Sequence, residues 1–141
     1  MSISDTSIRR VGAVTVAWGV LFAASHFYWA AGGGTGIEEG ALTLGESLYI
    51  AFVAVLGLTG AAVAHGLYQP WGARIGRRRL KLVARLGGVV LLLGVGVGVG
   101  RWITAGSLEG DGVSGIVITA YFLLGGALFV LLGWTRKAGE C

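Results

Sequence analysis

Cysteine and proline are almost missing from this 141-residue chain, which has one of each, at Cys141 and Pro70. A lone cysteine excludes an internal disulfide framework and a cysteine-rich zinc cluster. A lone proline excludes a proline-glycine low-complexity polymer, although glycine occurs 27 times. Charge is scarce as well: 13% of residues are charged, against roughly a quarter in soluble domains. No nucleophile elbow or phosphate loop is present, and the GxG repeats between Leu93 and Gly100 lack the strand and turn that a dinucleotide fingerprint needs. What remains is apolar, 55% hydrophobic with a mean hydropathy of +0.78. Such a composition points to a bilayer as the solvent, and glycines set inside apolar runs suit closely packed membrane helices.

Four apolar runs, at about 11–31, 45–69, 86–103 and 113–134, are each long enough for one membrane crossing at 1.5 Å per residue. They predict a single all-α integral membrane domain over 1–141, an up-down-up-down bundle of four transmembrane helices joined by short loops. Arg9-Arg10 ahead of the first run imitates a signal peptide, yet about 20 apolar residues follow rather than 7 to 15, so the run reads as a retained anchor. Pro70 closes the second run, and Pro70 to Arg85 reads as a basic loop carrying Arg74, Arg77, Arg78, Arg79, Lys81 and Arg85. Glycine-valine alternation in the third run imitates a strand, but an open strand in lipid would leave its backbone unpaired, which requires a helix. On that helix Gly94 and Gly98 share one side with Gly87 and Arg101, and Gly96 and Gly100 line the other, so two close neighbours are expected. On the second helix Ser47, Ala51, Ala54, Leu58, Ala61, Ala62 and His65 form the small-residue face.

Orientation follows from where the charges fall. Arg9, Arg10, the six of the middle loop, Arg136 and Lys137 lie on one side; Arg101 alone among the basic residues lies on the other, with Glu38, Glu39, Glu46, Glu109 and Asp111. By the positive-inside rule both termini are cytoplasmic and the chain is a multi-pass plasma-membrane protein. The same rule accounts for the basic loop without nucleic acid, for which no reading module accompanies the charge. The two acidic loops, GGGTGIEEG after Trp29 and AGSLEGDG after Trp102, look alike, but glycine-acid loops recur by composition and do not by themselves mark a duplication.

The first helix carries the candidate site. Thr15, Trp18, Phe22, Ser25, His26 and Trp29 fall within about 100° of arc on a helical wheel, opposite Val16, Val20, Ala23 and Phe27. The string His26-Phe27-Tyr28-Trp29-Ala30-Ala31-Gly32-Gly33 resembles the His-x-Tyr-Trp-Ala-x-Gly-Gly signature of a family of small four-helix bacterial membrane proteins defined as a domain of unknown function. That likeness is confined mainly to helix one; it implies the four-helix plan and attaches no activity.

Two readings of His26 stand side by side: an interfacial histidine in an aromatic belt with Tyr28 and Trp29, or a binding or proton-handling group in an outward-facing pocket. Arg101 either snorkels to the headgroups, pairs with Glu38, Glu39 or Glu46, or clamps an anionic ligand; Glu46 is also placed to cap the second helix. His26 and His65 differ in depth by roughly 15 Å, which excludes them as axial ligands of one haem, and no metal or cofactor is expected. The first expectation is therefore binding of a lipid or small polar or anionic ligand by His26, Trp29, Tyr28, Arg101, Trp18 and Ser25. The alternatives are an accessory or assembly subunit, meeting a second copy or a partner subunit through the glycine faces of helix three, and an enzyme using His26 as acid or base. The enzyme reading is the weakest, because no second catalytic group is placed beside His26.

Overall fold

A computed structural model describes residues 2–3, 5–33, 42–105, 112–134 and 136–137. Among them the chain is α-helical except for a two-residue parallel pairing of β1 (Ser2–Ile3) with β2 (Arg136–Lys137), which ties the two ends of the sequence together. The helices are α1 (Asp5–Ala30), α2 (Leu44–Tyr68), α3 (Trp71–Ile75), α4 (Arg77–Ala105) and α5 (Gly112–Trp134). Two stretches, Thr6–Ala30 and Leu44–Tyr68, are long and apolar enough to cross a membrane, and Thr119–Trp134 is a shorter apolar helix.

Local chemistry sets the ends. α1 gives way at Gly32, whose φ of +91° is open to glycine alone without strain. α2 starts on a capping box: the Thr43 backbone N–H donates to Glu46 Oε2 at 2.8 Å, and the Glu46 N–H donates to Thr43 Oγ1 at 3.3 Å. Pro70 ends α2 as expected, but the basic stretch after it is not a loop. It folds as α3, breaks at Gly76 with φ +101°, and continues as the first turns of α4. Arginine, lysine and leucine are good helix formers, so the charge of this segment does not keep it from being helical. The helix expected over 86–103 consequently starts at Arg77.

The packing is pairwise. α1 lies against α2 and α4 against α5, and the two hairpins meet along an α1–α5 seam and an α2–α4 seam. Trp18, Phe22, Ala64, Leu67, Leu80, Ala84, Phe129 and Leu132 form the core. Inside each hairpin one glycine pair brings backbone against backbone. A Cβ on Gly19 would stand 3.2 Å from the Gly57 carbonyl oxygen, and one on Gly88 would stand 2.9 Å from that of Gly126. The α2 face in contact is therefore Ala54, Gly57, Ala61 and Ala64, while Leu58 and Ala62, expected on it, are exposed. Ala23, on the α1 face opposite the aromatic arc, is buried.

The glycine faces of the third run also fall elsewhere than the sequence suggests. Among the described residues a Cβ on Gly87, Gly94 or Gly96 would meet nothing within 4 Å, so no described helix approaches closely at these positions. Gly98 lies outside the residues whose packing is described. The contact glycine of α4 is Gly88, one turn and a half before the alternating run, because that is where α5 crosses.

Candidate functional site

The polar, aromatic face of α1 forms, and its Trp18 and Phe22 turn onto α5. Trp18 is 5% exposed. Its indole N–H donates to the Tyr121 carbonyl at 3.1 Å, and the Tyr121 hydroxyl donates back to the Trp18 carbonyl at 3.2 Å. The two rings stack with centroids 5.1 Å apart; Phe22 stacks on Trp18 at 5.1 Å, and Phe129 meets Trp18 edge-on at 6.0 Å. Gly125 leaves the notch that receives the indole. Trp18 is thus a key locking α1 to α5, and offset-stacked and edge-on rings of this kind add to what burial alone contributes.

Further along α1, His26 is half-buried, stacked on Phe22 at 4.1 Å and edge-on to Trp29 at 5.0 Å. Its Nδ1–H donates to the Phe22 carbonyl at 2.7 Å, and the Ser25 hydroxyl donates to the same oxygen at 2.9 Å. Two of the polar groups expected to face a ligand are accordingly bonded within their own helix, a common fate of short polar side chains in helices. Tyr28 departs from the group: it is 50% exposed, and its ring lies over Gly33. Glu46 is held in the cap, where Oε2 also accepts from the Thr43 hydroxyl at 2.7 Å. Glu38 and Glu39 lie outside the described residues, and so does the Arg101 side chain; the expected ion pair and the shared His26–Arg101 site fall there too. At the other end of the hairpin His65 Nδ1 accepts from the Trp71 indole at 3.2 Å. Among the described residues no group of histidine, cysteine, aspartate or glutamate could hold a metal ion.

A cavity among the described residues lies elsewhere. About 770 Å³ opens between α2 and α4, floored by Trp18, Phe22 and Phe129 and walled by residues such as Val53, Gly87 and Leu91. That volume lies within the range of small-molecule sites. Its lining runs along α2 from Tyr49 to Val63 and along α4 from Val83 to Val95, lengths of about 21 and 18 Å at 1.5 Å per residue. Thr59, Thr119 and Tyr49 supply the only side-chain oxygens among the residues that line it, and the Thr59 hydroxyl already donates to Val55 O at 2.9 Å. Sequence reasoning missed this site because its signal is a shortage of bulk shared by two helices, invisible on either wheel alone.

Comparison with known protein families, with curated proteins and with solved structures finds no match to the chain.

Proposed function

We propose that this is a small multi-pass plasma-membrane protein that holds one hydrocarbon chain of a membrane lipid between α2 and α4. In this reading α1, α2, α4 and α5 are the four spans of an up-down-up-down bundle, with both termini and α3 in the cytoplasm. The likeness of the His26 string to the four-helix family agrees with that plan. The observation that carries the binding reading is the shape and chemistry of the cavity: apolar, elongated along the helix axes, and bordered by surface that water would not tolerate. Phe52 is 59% exposed, Val90 67% and Leu93 64%, apolar exposure expected of a lipid-facing surface. A small polar or anionic ligand held by His26 is less well supported, since Ser25 and His26 are bonded to Phe22 O.

The test is photolabelling. Protein in vesicles of phosphatidylethanolamine and phosphatidylglycerol, the latter carrying a diazirine in one acyl chain, is expected to give adducts concentrated on α2 and α4. Adducts spread evenly over all exposed apolar residues would remove the binding reading. Topology is tested separately by adding a membrane-impermeant maleimide to intact cells: Cys141 should stay unlabelled until the membrane is permeabilised, and rapid labelling from outside would reverse the orientation. The accessory-subunit reading retains one supporting observation: among the described residues a Cβ on Gly96 would meet nothing within 4 Å, room that a neighbouring chain would fill.

A further inference from the structure

The two hairpins share more than a plan. Gly19 meets Gly57 and Ala61, while Gly88 meets Gly126 and Val130. Every member of the second set stands 69 positions after its counterpart in the first, as the residue numbers show. The contacts are also reciprocal in the same sense: a Cβ on Gly57 would lie 3.4 Å from Gly19 O, and one on Gly126 would lie 3.2 Å from Gly88 O. The same shift carries Arg9-Arg10 onto Arg78-Arg79, Val14 onto Val83 and Gly19-Val20 onto Gly88-Val89. It maps α1 onto α4 and α2 onto α5, and therefore the α1–α5 seam onto the α2–α4 seam. The likeness lies in the helices, not in the acidic loops that suggest it on first reading.

Under that shift the packed seam and the open seam become two versions of one place. Trp18, Phe22 and His26 of α1 correspond to Gly87, Leu91 and Val95 of α4, and Phe122 of α5 corresponds to Val53 of α2. All four replacements are smaller, and all four line the cavity. Gly125, the notch under the Trp18 indole, corresponds to Leu56, which borders the cavity and is 52% exposed. We infer that the chain is a tandem repeat of one α-hairpin, and that its lipid-chain site is the second copy of the Trp18 lock, opened by Gly87. Gly87 is then the residue that determines whether the seam accepts a ligand. The inference rests on the lipid-chain reading for its occupant, while the repeat itself stands on the glycine contacts.

Aromatic side chains fill one seam to join the hairpins, and the same volume in the other is left to the solvent that surrounds it. In a bilayer that solvent is hydrocarbon, and a cavity elongated along the helices takes a chain aligned with the membrane normal.

The experiment uses the full chain in the diazirine-lipid vesicles described above. Gly87→Trp, and Gly87→Trp combined with Leu56→Gly to recreate the notch, should fold. The double variant should lose adducts on α2 and α4 at least fivefold and unfold at a temperature no lower than wild type. Gly96→Ala, off the cavity lining, should keep wild-type adducts. Trp18→Gly should gain adducts on α1 and α5, the opposite seam. Failure of the double variant to fold, or retention of wild-type labelling in it, overturns the equivalence of the seams while leaving the lipid-chain reading intact. Absence of adducts on α2 and α4 in the wild type overturns that reading instead.

Discussion

Trp18→Ala is expected to destabilise the protein by about 3–5 kcal/mol, the range for truncating a buried aromatic side chain to alanine. The indole is almost fully buried and touches Phe22, Tyr121 and Phe129 at once. Its removal also strips one of the two cross-helix hydrogen bonds that tie α1 to α5. Trp18→Phe separates the two contributions. It keeps a ring in the stack and removes the donor to Tyr121 O, so a loss nearer 1 kcal/mol is expected. Reversible unfolding in detergent micelles measures both. Equal stability of wild type and Trp18→Ala would show that the α1–α5 seam does not depend on this residue.

The second large effect concerns the hairpin contacts. Gly126→Leu is expected to cost about 3 kcal/mol, toward the upper end for overpacking, because its Cβ would press on Leu92 Cγ at 2.7 Å and stand 3.2 Å from Gly88 O. A side chain can swing aside; a helix backbone moves only with its whole helix. Gly96→Leu is the matched control on α4, where nothing lies within 4 Å, and it should change stability by less than about 0.5 kcal/mol. If the two variants unfold at the same temperature in the same detergent, the backbone contact between α4 and α5 is not what holds that hairpin.

Much of this architecture is legible in the sequence because membrane-like helices announce themselves by length and composition. α2 and α5 appear within a residue of their expected bounds, and the cap at Thr43–Glu46 follows from residue type alone. The aromatic arc of α1 is legible too, since Trp18, Phe22, His26 and Trp29 repeat at helical spacing. What that arc faces is not: a wheel gives directions about one axis and names no neighbour, so a lock on Tyr121 and a ligand pocket look alike. The glycines mislead for a related reason. Gly94 to Gly100 attract notice by local alternation, whereas Gly88 and Gly126, which make the contact, are unremarkable in their own surroundings and meaningful only as a pair. The helical start of α4 is hidden behind its charge, because a run of basic residues such as Arg77 to Arg85 reads as polar surface and says little about backbone conformation. Arg85 shows the double use: its Nε–H donates to Gly133 O at 2.9 Å, and its guanidinium lies 5.0 Å from the centre of the Trp134 ring.

The unequal seams have a mechanical consequence. Each hairpin is stiffened by backbone-to-backbone contact, which leaves the joint between hairpins as the softer place. There, one side is riveted by Trp18 and Tyr121, and the other closes around a cavity. Such a body opens like a book, with α1 and α5 as the spine and with its covers, α2 and α4, joined at one end through α3 and the approach of Leu80 to Gly66. Collective hinge motions of this kind belong to the microsecond-to-millisecond range. Their amplitude is set by what lies between the pages: the angle at the spine widens with the girth of whatever enters, and a chain of the right width fixes it.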